Sequence, residues 1–161
     1  MRTNNFGGVF FFAVLALAVL TAPCSSAASK KEAAQVKALY DGKSYERAIA
    51  LATRALKRAP DAMMLTYRAA SYYKRGERQK AIDDCTAAIN LNPQIMGPYF
   101  CRGTIYAELH QFAKAAEDLT EAIKLDPKNA DIYSLRSAVY GNLGKKEESE
   151  QDLKKAKELR K

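Results

Sequence analysis

The stretch from Tyr99 to Pro127, YFCRGTIYAELHQFAKAAEDLTEAIKLDP, decides how the rest of the chain is interpreted. Its landmarks at helical spacing are Tyr99, Arg102, Gly103, Tyr106, Ala115 and Leu119, closed by Pro127. Prolines also stand at positions 60 and 93, so the three prolines are 33 and 34 residues apart. A proline just beyond a helix stops it, because its ring lacks an N–H and clashes with the preceding turn. The spacing therefore predicts a repeated pair of helices.

This pattern resembles the tetratricopeptide repeat, a unit of 34 residues folded as two antiparallel helices. With Pro127 near the end of one unit, the same repeat length divides the chain into units of about 29–61, 62–95, 96–129 and 130–161. No unit can bury its apolar stripe alone, so neighbouring units must stack. The resemblance implies an all-α solenoid of four antiparallel helix pairs that form a right-handed superhelix.

A sharp turn is expected between the two helices of each unit. The turn positions are Lys43, Gly76, His110 and Gly144. Glycine adopts the left-handed backbone conformation at no steric cost, and histidine is among the other residues found there. We therefore interpret His110 as a turn residue and not as a catalytic group.

Opposite charges recur at two fixed places of the repeat. Three units carry an arginine in the first helix and an aspartate in the second, namely Arg68 and Asp84, Arg102 and Asp118, and Arg136 and Asp152. A charge at a half-buried position needs a partner. We expect Arg–Asp pairs that join helices within a unit or across neighbouring units. In the last unit, Glu150 and Lys157 replace apolar residues, which predicts a polar terminal face.

Residues 1–28 are predicted to be a secretory signal peptide. No charged side chain occurs from residue 3 to 29, and residues 9–20 form a continuous apolar run, short for a membrane span of about 20 residues. Small residues allow cleavage after Ala27 or Ala28. Two alternatives stay open: a lipid on Cys24, and a retained membrane anchor at residues 6–22. The favoured interpretation is an exported protein, periplasmic or secreted.

The residue types needed for catalysis or metal binding are scarce. The chain has one histidine, no tryptophan and three cysteines, and it has no glycine-rich phosphate loop. We predict that it is not an enzyme and that it has no catalytic residue, cofactor or metal site. Cys85 and Cys101 fall at facing places of adjacent units. The sequence leaves open whether they form a disulfide or remain two separate buried thiols.

The net charge of +8 raises the question of an anionic partner. The excess in the first unit lies mainly on Arg47, Arg54, Lys57 and Arg58, at outward-facing positions of its second helix. No strip of interleaved aromatic residues accompanies these charges, so we predict no nucleic-acid binding. A weak contact with an anionic membrane or envelope polymer stays open.

The resemblance places partner-binding residues on the concave face, formed by the first helix of each unit. Carried over by position, the predicted groove residues are Lys37, Tyr40, Met63, Thr66, Tyr73, Phe100 and Thr104. Aromatic and methionine side chains suit an extended or helical peptide held by apolar anchors. The predicted function is a non-catalytic, exported scaffold that binds a partner peptide in this groove. The alternative is an envelope assembly or membrane-tethered structural component.

Overall fold

The computed structural model describes residues 24–161, with side chains from Lys30 onward. Eight α-helices occupy this range: α1 Cys24–Asp41, α2 Tyr45–Leu56, α3 Ala62–Lys74, α4 Arg78–Leu91, α5 Met96–Glu108, α6 Phe112–Leu125, α7 Ala130–Asn142 and α8 Lys146–Leu159. Odd-numbered helices pair with the helix that follows them, and each pair packs on the next. The predicted all-α solenoid of four helix pairs is confirmed.

The predicted signal peptide lies outside the described residues, apart from the helical backbone of residues 24–28. The same is true of the alternative anchor at residues 6–22. Within residues 24–161, no helix combines the length and apolar character needed to cross a membrane.

The four turns between paired helices have the predicted left-handed backbone. The φ angle is 57° at Lys43 and at His110, 80° at Gly76 and 74° at Gly144. The ring of His110 stands edge-on to Phe112, with 5.6 Å between ring centroids. His110 is therefore a turn residue, as expected, and its ring packs against the first residue of α6.

Small residues lie where the two helices of a unit cross most closely. Ala69 and Ala81 are fully buried in the second unit, and Gly103 is buried in the third. The fourth unit uses Ser137 and Ser149, whose hydroxyls each donate to the other residue's backbone carbonyl, at 2.7 and 2.8 Å. These reciprocal bonds satisfy both hydroxyls without widening the helix contact.

The arginines and aspartates form a regular series that we call the arginine ladder. Each arginine donates two hydrogen bonds, of 2.7–2.9 Å, to the aspartate of its own unit: Arg68 to Asp84, Arg102 to Asp118 and Arg136 to Asp152. The predicted pairs are confirmed and lie within units. Each arginine also donates to a threonine of the preceding unit, at 2.9–3.0 Å: Thr53, Thr86 and Thr120 in turn. The ladder thereby joins successive units, and this link was not predicted from the sequence.

The terminal face of the fourth unit is polar but not fully so. Glu150 and Lys157 are exposed, as predicted. Leu153, however, has 44% of its surface exposed, whereas Cys85 and Leu119, at the equivalent place of the second and third units, have none. The difference arises because those two residues are covered by the first helix of a following unit.

Candidate functional site

The first helices of the units line a concave pocket of about 480 Å³. Five of the seven predicted groove residues come together there: Tyr40, Thr66, Tyr73, Phe100 and Thr104. They are contributed by α1, α3 and α5, and Leu135 of α7 also lines the pocket, so residues of all four units border it. Its size falls within the range of about 300–1,000 Å³ that is usual for small binding sites.

Tyrosine rings form one wall of the pocket. The Tyr40 ring lies 6.1 Å from that of Tyr67 and 5.8 Å from that of Tyr45, both in tilted arrangements. Tilted aromatic pairs at this distance are favourable. Burial, as the largest cause, raises the pKa of the Tyr40 phenol. The Tyr40 phenol is therefore neutral at physiological pH, and its ring is held from two sides.

Tyr73 closes another side of the pocket and is fixed by a polar cluster. Its hydroxyl donates to the carboxylate of Glu108 on α5, and Arg78 on α4 pairs with the same carboxylate at 3.1 Å. Burial, followed by the hydrogen bond to Glu108, raises the pKa of Tyr73 to about 12. The ring is thus held as a neutral phenol between α3 and α5, which presents a fixed aromatic surface.

The threonine hydroxyls of the pocket are already hydrogen-bonded. Thr66 donates to the carbonyl of Ala62 and Thr104 to that of Phe100, each at 2.7 Å. Bonds to the preceding turn of the same helix leave neither hydroxyl as an unmet donor. Lys74 is the charged residue of the lining. Its ammonium lies 5.6 Å from the centroid of the Tyr73 ring and makes no salt bridge with the described residues.

Two predicted groove residues do not line the pocket. Lys37 is exposed and pairs with Asp41 one turn away, at 2.6 Å. Met63 is 40% exposed. Their counterparts in neighbouring units, Ala70 and Gly97, do line it. The pocket therefore occupies only part of the surface that the repeat places on the concave side.

Six lining residues were absent from the predicted set: Tyr67, Ala70, Lys74, Gly97, Cys101 and Leu135. A signal for three of them was present in the sequence. Tyr67, Cys101 and Leu135 occupy the same position in their units. Each directly follows a residue at a repeat position that was assigned to the concave face. That place was interpreted as facing the neighbouring unit, whereas in the structure it also borders the pocket.

A larger depression, of about 740 Å³, lies beside α6. Its lining includes Glu117, Glu121 and Lys145, together with Arg102 and Asp118 of the arginine ladder. The ladder groups already bond to each other, and the remaining charges are of both signs. The concave pocket combines fixed aromatic walls with threonine hydroxyls that are already bonded and one lysine that is unpaired within the described range, so it is the better candidate for a binding site despite its smaller volume.

Among the described residues, no cluster of three or more histidine, cysteine or carboxylate side chains is arranged to hold a metal ion.

Comparisons with known families agree with the helical repeat. A family model described as a tetratricopeptide repeat matches residues 33–94, and a second with that description matches residues 130–161. A model described as a TPR repeat matches residues 103–144. Together these matches include residues from all four units.

Solved structures with the same architecture include a crystal structure of MamA. It is 23% identical to this chain, with 82% of this chain and 78% of that one covered and a TM-score of 0.72. A MamA structure from Desulfovibrio magneticus is 20% identical, with 82% and 75% covered and a TM-score of 0.71. A thermophilic TPR protein of Thermus thermophilus is 25% identical, with 81% and 74% covered and a TM-score of 0.68. The likeness to the MamA structures concerns the fold alone.

Proposed function

Because the chain is built of tetratricopeptide repeats, we propose that it is a non-catalytic scaffold that binds a protein partner in the concave pocket. The observation that carries this proposal is the pocket itself, with neutral, fixed tyrosine rings around Phe100. Rigid aromatic surfaces bind apolar side chains at a low cost in conformational entropy. The repeat fold supports protein interaction as the general role, and the pocket is the surface that we propose for it.

The lining also indicates the chemistry of the partner segment. An apolar side chain would fill the space between Tyr40, Tyr73 and Phe100. Lys74 stands at this site without a carboxylate partner in the described range, so an acidic residue beside the anchor would complement it. We infer that the pocket takes a peptide in which an apolar anchor is flanked by aspartate or glutamate.

The first prediction concerns Tyr73. Tyr73→Ala is expected to weaken peptide binding about 30-fold, since losing a central aromatic anchor commonly costs about 2 kcal/mol. The probe is a short alanine-based peptide with one phenylalanine flanked by two aspartates, and its affinity is measured by calorimetry. Tyr73→Phe keeps the ring and should bind within about threefold of the parent, a small cost in free energy. Phe100→Ala should weaken binding as well, with some loss of stability, because Phe100 also packs against the core.

The matched control is Tyr72→Ala. Tyr72 precedes Tyr73 in α3, but its ring lies near Lys80 and Arg68, on the side that faces α4. Each variant is compared at equal folded fraction by circular dichroism. Equal loss of affinity in the Tyr72 and Tyr73 variants, or equal binding of a peptide with serine in place of phenylalanine, would count against the pocket.

We further propose that the protein is exported and that residues 1–28 are removed. The support is the uncharged apolar run and the small residues that follow it. Of the described side chains, the first that is buried is Val36, so a cut after Ala28 would leave the described core intact.

The second prediction follows from this proposal. The intact mass of the native protein is expected to correspond to a chain that starts at Ala28 or Ser29, because the small residues before those positions suit cleavage. Mass spectrometry of the protein isolated from its own cells makes the measurement. A retained Met1 with the protein in the membrane fraction would support the tethered structural component, and a lipid on Cys24 would also contradict removal of residues 1–28.

A further inference from the structure

Two thiols occupy a repeated contact between units. At the seam between the first and second units, Ala52 is buried in a core against which Tyr67 packs. At the seam between the third and fourth units, Leu119 is buried in a core to which Leu135 belongs. The equivalent places of the middle seam hold Cys85 on α4 and Cys101 on α5. The repeat itself therefore brings these side chains together.

The two cysteines differ in exposure. Cys85 is fully buried, whereas Cys101 is half-buried and lines the concave pocket. Both are free thiols in the structure. A side-chain hydrogen bond with Cys101, followed by burial, raises the pKa of Cys85 well above its usual range. A reagent that enters the pocket can thus reach Cys101, while the proton on Cys85 is held in the seam.

We propose that Cys85 and Cys101 form a redox-active dithiol, in which Cys101 reacts from the pocket and Cys85 closes a reversible disulfide between the second and third units. The oxidant is a low-molecular-weight disulfide, of which oxidised glutathione is the probe. This inference stands on the thiol geometry and does not require a peptide in the pocket.

The reaction proceeds by thiol–disulfide exchange. The Cys101 thiolate attacks one sulfur of glutathione disulfide, which breaks that bond, forms a mixed disulfide on Cys101 and releases one glutathione thiolate that takes up the proton from Cys101. Cys85 next gives up its proton. The Cys85 thiolate then attacks the Cys101 sulfur, and the second glutathione leaves and takes up that proton. The protein loses two electrons and two protons, and the oxidant becomes two thiols.

The disulfide is expected to stabilise the array. It would cross-link α4 to α5 and restrict the unfolded chain over the segment between the two cysteines. A disulfide that closes a loop of this length should raise the melting temperature of the protein by about 5–10 °C. Closing the bond brings the sulfur atoms to about 2.05 Å.

The experiment uses the full chain carrying Cys24→Ser, so that only the two seam cysteines remain. Incubation with oxidised glutathione should give a product lighter by two hydrogens, which peptide mapping assigns to Cys85 and Cys101, and reduction should reverse it. Cys85→Ala should stop at a glutathione adduct on Cys101. Cys101→Ala should react at least about tenfold more slowly than Cys85→Ala, because the remaining thiol is fully buried.

The matched control replaces both cysteines with leucine, the residue found at the equivalent Leu119 and Leu135 contact. This variant should remain helical, and its melting temperature should not respond to glutathione. A stable glutathione adduct on the chain with both thiols, no reaction at all, or equal reactivity of the two alanine variants would overturn the proposal. Peptide mapping of the chain that keeps both Cys85 and Cys101 tests for the disulfide even if an alanine variant fails to fold.

Discussion

Replacing Gly103 with leucine is expected to destabilise the array by about 3 kcal/mol, the upper end of the usual cost of overpacking a core. A side-chain carbon built on Gly103 would stand 3.1 Å from Cγ of Leu119 and 3.3 Å from Cβ of Asp118. Leucine adds three further carbons beyond that point. Because α5 and α6 cross here and Leu119 is fully buried, these carbons would be forced against packed atoms of α6. Urea denaturation monitored by circular dichroism measures the effect.

Gly141→Leu provides a matched control in the fourth unit. Gly141 is also within a helix, but a side-chain carbon there would meet only Ser149 Oγ, at 3.7 Å. Leucine has a better helix propensity than glycine by somewhat under 1 kcal/mol, so this change should be neutral or stabilising. Similar losses of stability in both variants would show that the helix crossing at Gly103 does not control the effect.

Features set by local and periodic rules could be predicted from the sequence. The left-handed turns at Lys43 and His110 were predicted although neither residue is glycine, because the repeat spacing fixes where the chain must turn between paired helices. The Arg102–Asp118 pair was predicted because a half-buried charge at a repeated place requires a partner. Such features depend on the position of a residue within one unit, and one unit is enough to recognise them.

The details of the pocket could not be predicted in the same way. Tyr73 contacts Glu108, which lies in the next unit, and this pair depends on how α3 and α5 are placed side by side. Lys37 was assigned to the groove by its place in the repeat, but the adjacent Asp41 holds it at an exposed site outside the pocket. Contacts between units depend on stacking geometry, which the position within a repeat does not specify.

The threonines of the ladder show an intermediate case. Thr53, Thr86 and Thr120 recur at one place of the first three units, so the pattern was visible in the sequence. The role of these threonines could not be predicted, because a threonine on a helix surface commonly bonds to its own helix. Thr86 and Thr120 also make this bond, to a carbonyl of the preceding turn. Only the structure shows that each hydroxyl also accepts from the arginine of the next unit. The ladder therefore fixes both the pairing within units and the stacking of units that creates the concave pocket.

Removing one carboxylate of this ladder is expected to have the largest effect of any single substitution on the fold. Asp118→Ala deletes both carboxylate oxygens that accept from the Arg102 guanidinium, in a pair whose side chains are only 17% and 8% exposed. Breaking a buried ion pair by removing one partner typically costs about 3–5 kcal/mol, because the remaining charge is left without compensation. Thr86 cannot replace the carboxylate, since it offers one neutral oxygen. Urea denaturation should show this loss as a lower midpoint.

Two comparisons separate the ladder from a general effect of losing an aspartate. Asp83→Ala removes an exposed carboxylate whose hydrogen bond is to Gln79 on the same helix, and it should change stability by less than about 0.5 kcal/mol. The double variant Arg102→Met and Asp118→Leu removes both charges and should recover more than half of the loss, because an apolar pair of similar volume carries no uncompensated charge. If the double variant were no more stable than Asp118→Ala alone, the cost would lie in packing around Asp118 and not in the charge left on Arg102.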